Sequence, residues 1–260
     1  MNDDILKRIK RKLPESIKKI ARKVVDGICA SPAERQIKWL KKKNYSYLPL
    51  LRTTEESMHN VKIAAETIYG SNWNFYSDAL RRETVKIFET CSQYLSASHQ
   101  TVNYLEIGSC QGLSMSIIGS ILNEAHKLGK LISIDPYFEG GYTEHKNEVV
   151  INKTTKGNAL KLYKMLKLEV NHIEEISSIG LKNLVIGGQS FNLIYIDGAH
   201  EGMSPLEDLG LSLQLITHKG IIMLDDYRTY PDVKVLKTLC DRHYNKIAES
   251  WKIAAYKVCK

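Results

Sequence analysis

The sequence predicts an α/β protein with a doubly wound, mostly parallel sheet of seven strands. Two patterns carry that expectation. From Val102 onward, short apolar runs alternate with stretches of helical periodicity, the order that a parallel sheet covered on both faces requires. The last two β-rich runs, 246–251 and 253–258, are separated by little more than Lys252. Runs joined so tightly form an antiparallel hairpin at the sheet edge.

The chain opens on an amphipathic pattern over residues 5–25. Ile5, Ile9, Leu13, Ile17, Ile20 and Val24 recur every three or four positions, with Lys and Arg on the other faces, as one apolar helical stripe demands. Pro14 either kinks this helix or starts a second one. Residues 31–60 read as helix and then loop. From about residue 76, Ala79, Leu80, Val85, Ile87, Phe88 and Leu95 mark a helix leading into the main domain. The expected division is a basic helical extension over 1–75 and an α/β domain over 76–260. Strands are expected at 102–107, 131–135, about 170–176, 191–196 and 220–224. Helices are expected at about 113–128, 153–168 and 204–217, with a last one at 232–244 before the hairpin.

Composition bounds the class. A chain of 260 residues, 43% hydrophobic and 25% charged, is ordinary for a soluble protein and long enough for a full core. It has no apolar run of about 18 residues and no apolar stretch after Met1, so neither a membrane span nor a secretory signal is expected. Cys29, Cys91, Cys110, Cys240 and Cys259 are scattered and odd in number. That fits buried single thiols in a reducing cytoplasm better than a disulfide framework or a zinc site.

The net charge of +8 is local. Residues 1–50 hold 14 Lys/Arg against 5 Asp/Glu, while the rest hold 23 against 24. The body is therefore near neutral, and no specific nucleic-acid groove is expected across it. The basic helix is expected to dock on the body or on a second subunit of a homo-oligomer. Its other reading is peripheral contact with acidic membrane, at the inner membrane surface, or with an anionic polymer.

Three blocks carry chemistry. In Tyr104-Leu105-Glu106-Ile107-Gly108-Ser109-Cys110-Gln111-Gly112-Leu113-Ser114, a strand enters a turn with glycines four apart and then a helix. Such a turn lets a nucleotide-like ligand approach the backbone at the strand ends. The spacing departs from the dinucleotide pattern, which disfavours a pyrophosphate. Leu131-Ile132-Ser133-Ile134-Asp135 then ends a second strand in a carboxylate, able to accept hydrogen bonds from both ribose hydroxyls. Finally, Phe191 to Ile196 delivers Asp197-Gly198-Ala199-His200, and Ile221 to Leu224 delivers Asp225-Asp226-Tyr227. If Asp197, Asp225 and Asp226 converge, their repulsion calls for a proton, a hydrogen bond or a cation, and hard oxygen ligands suit Mg²⁺. His200 has the pKa range of a general base. Each feature also has a plainer reading, as a glycine turn, a strand-end cap or a backbone-bonded histidine.

Together the blocks resemble the class I S-adenosylmethionine-dependent methyltransferases, with a Rossmann-like fold, and most closely a small O-methyltransferase-like branch with Glu-Ile-Gly-Ser and Ile-Asp-Gly-x-His elements. The likeness covers about residues 76–258. It implies that Glu106, Gly108, Ser109, Gly112 and Ser114 hold the methionine part of the cofactor. It further implies that Asp135 with Pro136 holds the ribose, and that Asp197 lies between donor and acceptor. Ser177 and Ser178 fall where an adenine-side acid is often found. Catechol-type and sugar O-methyltransferases place Mg²⁺ on acids matching Asp197, Asp225 and Asp226. The catechol-type enzymes carry a basic lysine at the offset held here by His200, so the base is either His200 or Asp197. The implied function is methyl transfer to a hydroxyl of a small molecule or sugar, with or without Mg²⁺. A metal-dependent hydroxylase-like enzyme of the same fold and a non-catalytic cofactor-binding module are the alternatives. Pro136 to Tyr142 reads as an aromatic lid hinged at Gly140-Gly141.

Overall fold

A computed structural model describes residues 49–70, 78–144 and 149–259. The basic helix expected over 5–25 lies outside the described residues. The chain divides into compact units at Met1–Asn44 and Tyr45–Lys260, and every described element belongs to the second.

Two helices precede the sheet: α1 (Arg52–Tyr69) and α2 (Arg82–Ser98), with a short 3₁₀ turn at Asp78–Leu80. Then come β1 (Val102–Ile107), α3 (Leu113–Glu124), β2 (Leu128–Ile134), a small hairpin of β3 (Tyr142–Glu144) and β4 (Val149–Ile151), and α4 (Lys153–Met165). The second half runs β5 (Val170–Ile173), α5 (Ser177–Ile186), β6 (Phe191–Ile196), α6 (Ser204–Leu215), β7 (Ile216–Leu224), α7 (Pro231–His243), β8 (Asn245–Glu249) and β9 (Ala254–Lys257). The seven-stranded sheet has the order β5-β2-β1-β6-β7-β9-β8. Its first five strands are parallel, and β9 joins β7 and β8 antiparallel. This is the predicted doubly wound sheet with its terminal hairpin.

Side chains alternate across each strand, so one sheet feeds two cores. Tyr104, Leu193, Tyr195, Ile221 and Met223 face a core shared with α1, α2, α3 and α4. Leu105, Ile107, Ile194, Ile196, Ile222 and Leu224 face a second, shared with α5, α6 and α7. Both faces of the central strands are dry, which explains their near-continuous apolar sequence.

Three expectations need correction. Residues 52–60, expected as loop, begin α1, whose Val61, Ala64 and Ala65 are buried in the first core. Helix α1 thus falls in the stretch expected as extension and within the same compact unit as the sheet. Helix α5 has no counterpart among the helices expected from the sequence; it buries only Gly180, Leu181 and Leu184, too few to print a clear helical stripe. Cys91 and Cys240 are buried as expected, but Cys110 is half-buried and Cys259 is exposed. In the segment after Asp135, Tyr137 is buried and its hydroxyl donates to the Cys110 carbonyl at 2.6 Å, while Phe138 is half exposed and lines the cleft with Tyr142.

Candidate functional site

The residue just past each parallel strand continues the ladder by one step. Asp135 donates its N–H to the Ile173 carbonyl at 3.1 Å, and Gly108 to Ile134 at 2.9 Å. Asp197 donates to Ile107 at 2.9 Å, and Asp225 to Ile196 at 3.0 Å. Asp135, Gly108, Asp197 and Asp225 therefore stand in one row across the carboxyl edge of the sheet, where α/β folds place ligands. A cleft of about 670 Å³ opens along this row, a usual size for a small-molecule site. Gly108, Ser109, Ser114, Asp135, Pro136, Ser178, Asp197, His200, Asp225 and Asp226 all line it.

Two predicted cofactor residues sit behind the wall instead. Gly112, at φ 74° as the N-cap of α3, is glycine because a Cβ would meet the Tyr163 hydroxyl at 2.5 Å. Its constraint is packing against protein. Glu106 is fully buried; it accepts hydrogen bonds from the Ser114 hydroxyl and from the Tyr104 hydroxyl at 3.2 Å. Burial raises its pKa to about 8, with the Asp135 and Asp225 charges adding to the rise and both hydroxyls opposing it. Glu106 thus holds Ser114, which does face the cleft.

Gly108 has φ 82°, a conformation costly for other residues. Ser109 and Gln111 line the cleft, and their Oγ and Oε1 are buried without a hydrogen-bond partner among the described residues. Orphaned polar atoms of this kind suit a polar ligand. Asp135 is buried and already well supplied with donors. It accepts from the Cys110 N–H at 2.9 Å, the Tyr137 N–H at 3.1 Å and the Tyr142 hydroxyl at 3.0 Å. The two backbone bonds hold the carboxylate in place; Tyr142 marks the side from which a hydroxyl reaches it. Ser177 and Ser178 open α5 beside Ile176 on the cleft wall.

Past β6 and β7, Asp197, His200 and Asp226 bring ligand-type atoms within 4.8 Å of one another. His200 Nε2 is 3.4 Å from Asp197 Oδ1, and its ring stacks on Tyr230 at 4.5 Å and 8°. Tyr230 is placed by the turn after β7, where the Thr229 and Tyr230 N–H groups both return to the Asp226 carbonyl. Asp226 itself has φ 50°; the chain turns sharply there, in a region Asp tolerates better than most residues.

The expected metal set of Asp197, Asp225 and Asp226 does not assemble. Asp225 is buried, with Oδ2 taking the Tyr195 hydroxyl and lying 3.0 Å from Lys252 Nζ, while Oδ1 accepts the Asp226 N–H at 2.7 Å. Asp225 is engaged by protein donors, and the ligand-type atoms that converge are those of Asp197, His200 and Asp226 instead. Lys252 Nζ also lies 3.7 Å from Asp226 Oδ1. The sequence marks Lys252 only as the residue between the last two strands. Because β9 runs antiparallel to β7, with Leu224 opposite Ala254, the turn before β9 is brought to the end of β7. The signal is the topology of the hairpin, not a motif.

Residues 105–227 match the family model described as "Methyltransferase domain". That stretch, a little under half of the chain, is similar to a methyltransferase domain. Among solved structures this protein is similar to the O-methyltransferase NovP, at 14% identity and TM-score 0.55 over 78% of this chain and 100% of that one. It is similar also to the O-methyltransferase from Bacillus cereus in complex with SAH, at 13% identity and TM-score 0.51 over 81% and 93%. TomG of Streptomyces achromogenes, an O-methyltransferase involved in tomaymycin synthesis and solved with SAM, gives 12% identity and TM-score 0.52 over 86% and 99%. At such identities the likeness is one of fold. A curated relative, uncharacterized protein R132 of Acanthamoeba polyphaga mimivirus, is 27% identical over 129 residues. Those residues are 50% of this chain and 53% of that protein, so the match spans about half the length of each. Among the described residues, no helix is long and apolar enough to cross a membrane.

Proposed function

We propose that this protein moves a methyl group from S-adenosylmethionine to a hydroxyl oxygen of a small molecule or sugar. One observation carries the reading: Gly108, Asp135 and Asp197 occupy one row of strand termini and line one cleft. Two of the similar structures are described as complexes with SAH and SAM. The fit is local as well. Ser109 and Gln111 offer unpaired polar atoms to an amino-acid end, and Asp135 offers a fixed carboxylate to ribose hydroxyls. Ser177 and Ser178 stand where the base would lie.

The sulfonium supplies an already electrophilic methyl group. The chain's own work is then alignment and proton removal. Asp197 and His200 line the cleft just past β6, and an acceptor hydroxyl held between them would lose its proton to His200 Nε2 or to the Asp197 carboxylate. Stacking on Tyr230 fixes the imidazole plane, so the ring is already oriented when the acceptor arrives. The cluster has one histidine and two carboxylates, short of the two histidines and one carboxylate typical of iron hydroxylases. The hydroxylase alternative gains no support from it.

The test is transfer of a labelled methyl group from S-adenosylmethionine to a panel of sugars, phenols and aliphatic alcohols. The reading expects label in at least one hydroxyl acceptor, lost in Asp197→Asn. Label appearing only on nitrogen or sulfur acceptors contradicts it.

A further inference from the structure

The carboxyl ends of β6 and β7 carry Asp197 and the adjacent pair Asp225–Asp226, with Asp197 and Asp226 converging, and neighbouring carboxylates need positive charge nearby. The structure already supplies one. Lys252 is buried, lines the cleft, and places Nζ 3.0 Å from Asp225 Oδ2 and 3.7 Å from Asp226 Oδ1. We propose that Lys252 is the resident cation of this site, so that the Asp225–Asp226 pair works without a divalent metal. It acts through the two acids rather than on a reacting atom, and is a positioning residue.

Three features support this. The turn that carries Lys252 is built to hold it: the Ser250 N–H donates to the Ile253 carbonyl at 2.7 Å, and the Ile253 N–H donates to Ser250 Oγ at 3.0 Å. The Tyr227 hydroxyl ties the same turn to the end of β7 by donating to the Ser250 carbonyl at 2.7 Å. The neighbouring residues therefore fix the ammonium's backbone from both sides. Second, Asp225 is bonded to Tyr195, the Asp226 N–H and Lys252, and the ligand-type atoms that converge are those of Asp197, His200 and Asp226. Third, an ion bound by those three would lie close to an ammonium of the same sign, and repulsion at that range weakens binding strongly.

The inference deepens the methyl-transfer reading, for it states how that site is neutralised. Its test reads cation binding alone, so the two can fail separately. The full chain is titrated with Mn²⁺ and bound ion is followed by electron paramagnetic resonance, in the wild type and in the Lys252→Met and Lys252→Arg variants. The wild type and Lys252→Arg are expected to bind no Mn²⁺ in the cleft below about 1 mM, whereas Lys252→Met gains affinity by about tenfold or more. Micromolar Mn²⁺ binding by the wild type that is lost in Asp226→Asn overturns the proposal, whether or not Lys252→Met folds. So does a folded Lys252→Met that gains nothing. A protein with the expected Mn²⁺ pattern that binds no S-adenosylhomocysteine keeps this inference and removes the methyl-transfer reading.

Discussion

Gly108 and Asp197 approach so closely that a Cβ on Gly108 would meet the Asp197 carbonyl carbon at 2.6 Å and Gly198 Cα at 2.8 Å. The glycine that opens the cofactor turn is thus also the contact that lets the ends of β1 and β6 lie side by side. The cleft and the strand packing depend on the same missing side chain.

Gly108→Ala is therefore expected to cost stability as well as ligand binding. Its φ of 82° strains any Cβ, and the clash is with backbone, which moves only with the strands. A loss of about 3 kcal/mol or more is expected, measured by denaturant unfolding. A variant as stable as the wild type would mean the strand ends are spaced more widely.

Glu106 predicts a pH dependence. Buried, it holds its proton up to about 8, whereas its ordinary value is 4.5. Between those values the folded state binds more protons than the unfolded one. Its contribution therefore makes stability fall as pH rises through that window. Glu106→Gln cannot titrate there, and its unfolding midpoint is expected to drop less than the wild type's between pH 5 and 8. Equal drops would show that Glu106 is ionised in the folded protein throughout.

Much of this arrangement is legible in the chain. The strand-turn-helix of Glu106 to Ser114 and the acids at 135 and 197 stand at strand ends because apolar runs stop there. Asp225 and Asp226 show the limit. Consecutive residues at a strand end can leave in different directions, and the sequence does not say which way each acid turns. Asp225 turns inward to Tyr195 and Asp226 outward to the cleft. Lys252 is invisible as a site residue in the sequence because its partner Asp225 is 27 positions away in the chain and meets it only through an antiparallel return. Residues such as Gly112 mislead in the other direction: a glycine in a ligand motif is fixed here by Tyr163.

Asp135 and Tyr142 make a paired prediction. Asp135→Ala removes the acceptor proposed for the ribose and should weaken S-adenosylhomocysteine by about tenfold or more, on the scale of a hydrogen bond to a charged group. Tyr142→Phe removes only a competing donor, so affinity should hold or improve. Loss of binding in Tyr142→Phe equal to that in Asp135→Ala would make the tyrosine a ligand contact rather than a competitor.

His200 separates chemistry from binding. His200→Ala should lower methyl transfer by about 10²–10⁴, the usual weight of a general base, with donor affinity little changed. An unaltered rate would assign proton removal to Asp197 alone.

The central claim is that the row of strand termini forms a pocket for a sulfonium nucleoside, and calorimetric titration with S-adenosylhomocysteine tests it most directly. Saturable binding of one molecule per chain, weakened in Asp135→Ala, is the predicted result. A folded wild-type protein that gives no binding heat at any temperature tried, and does not retain labelled S-adenosylhomocysteine, would contradict it.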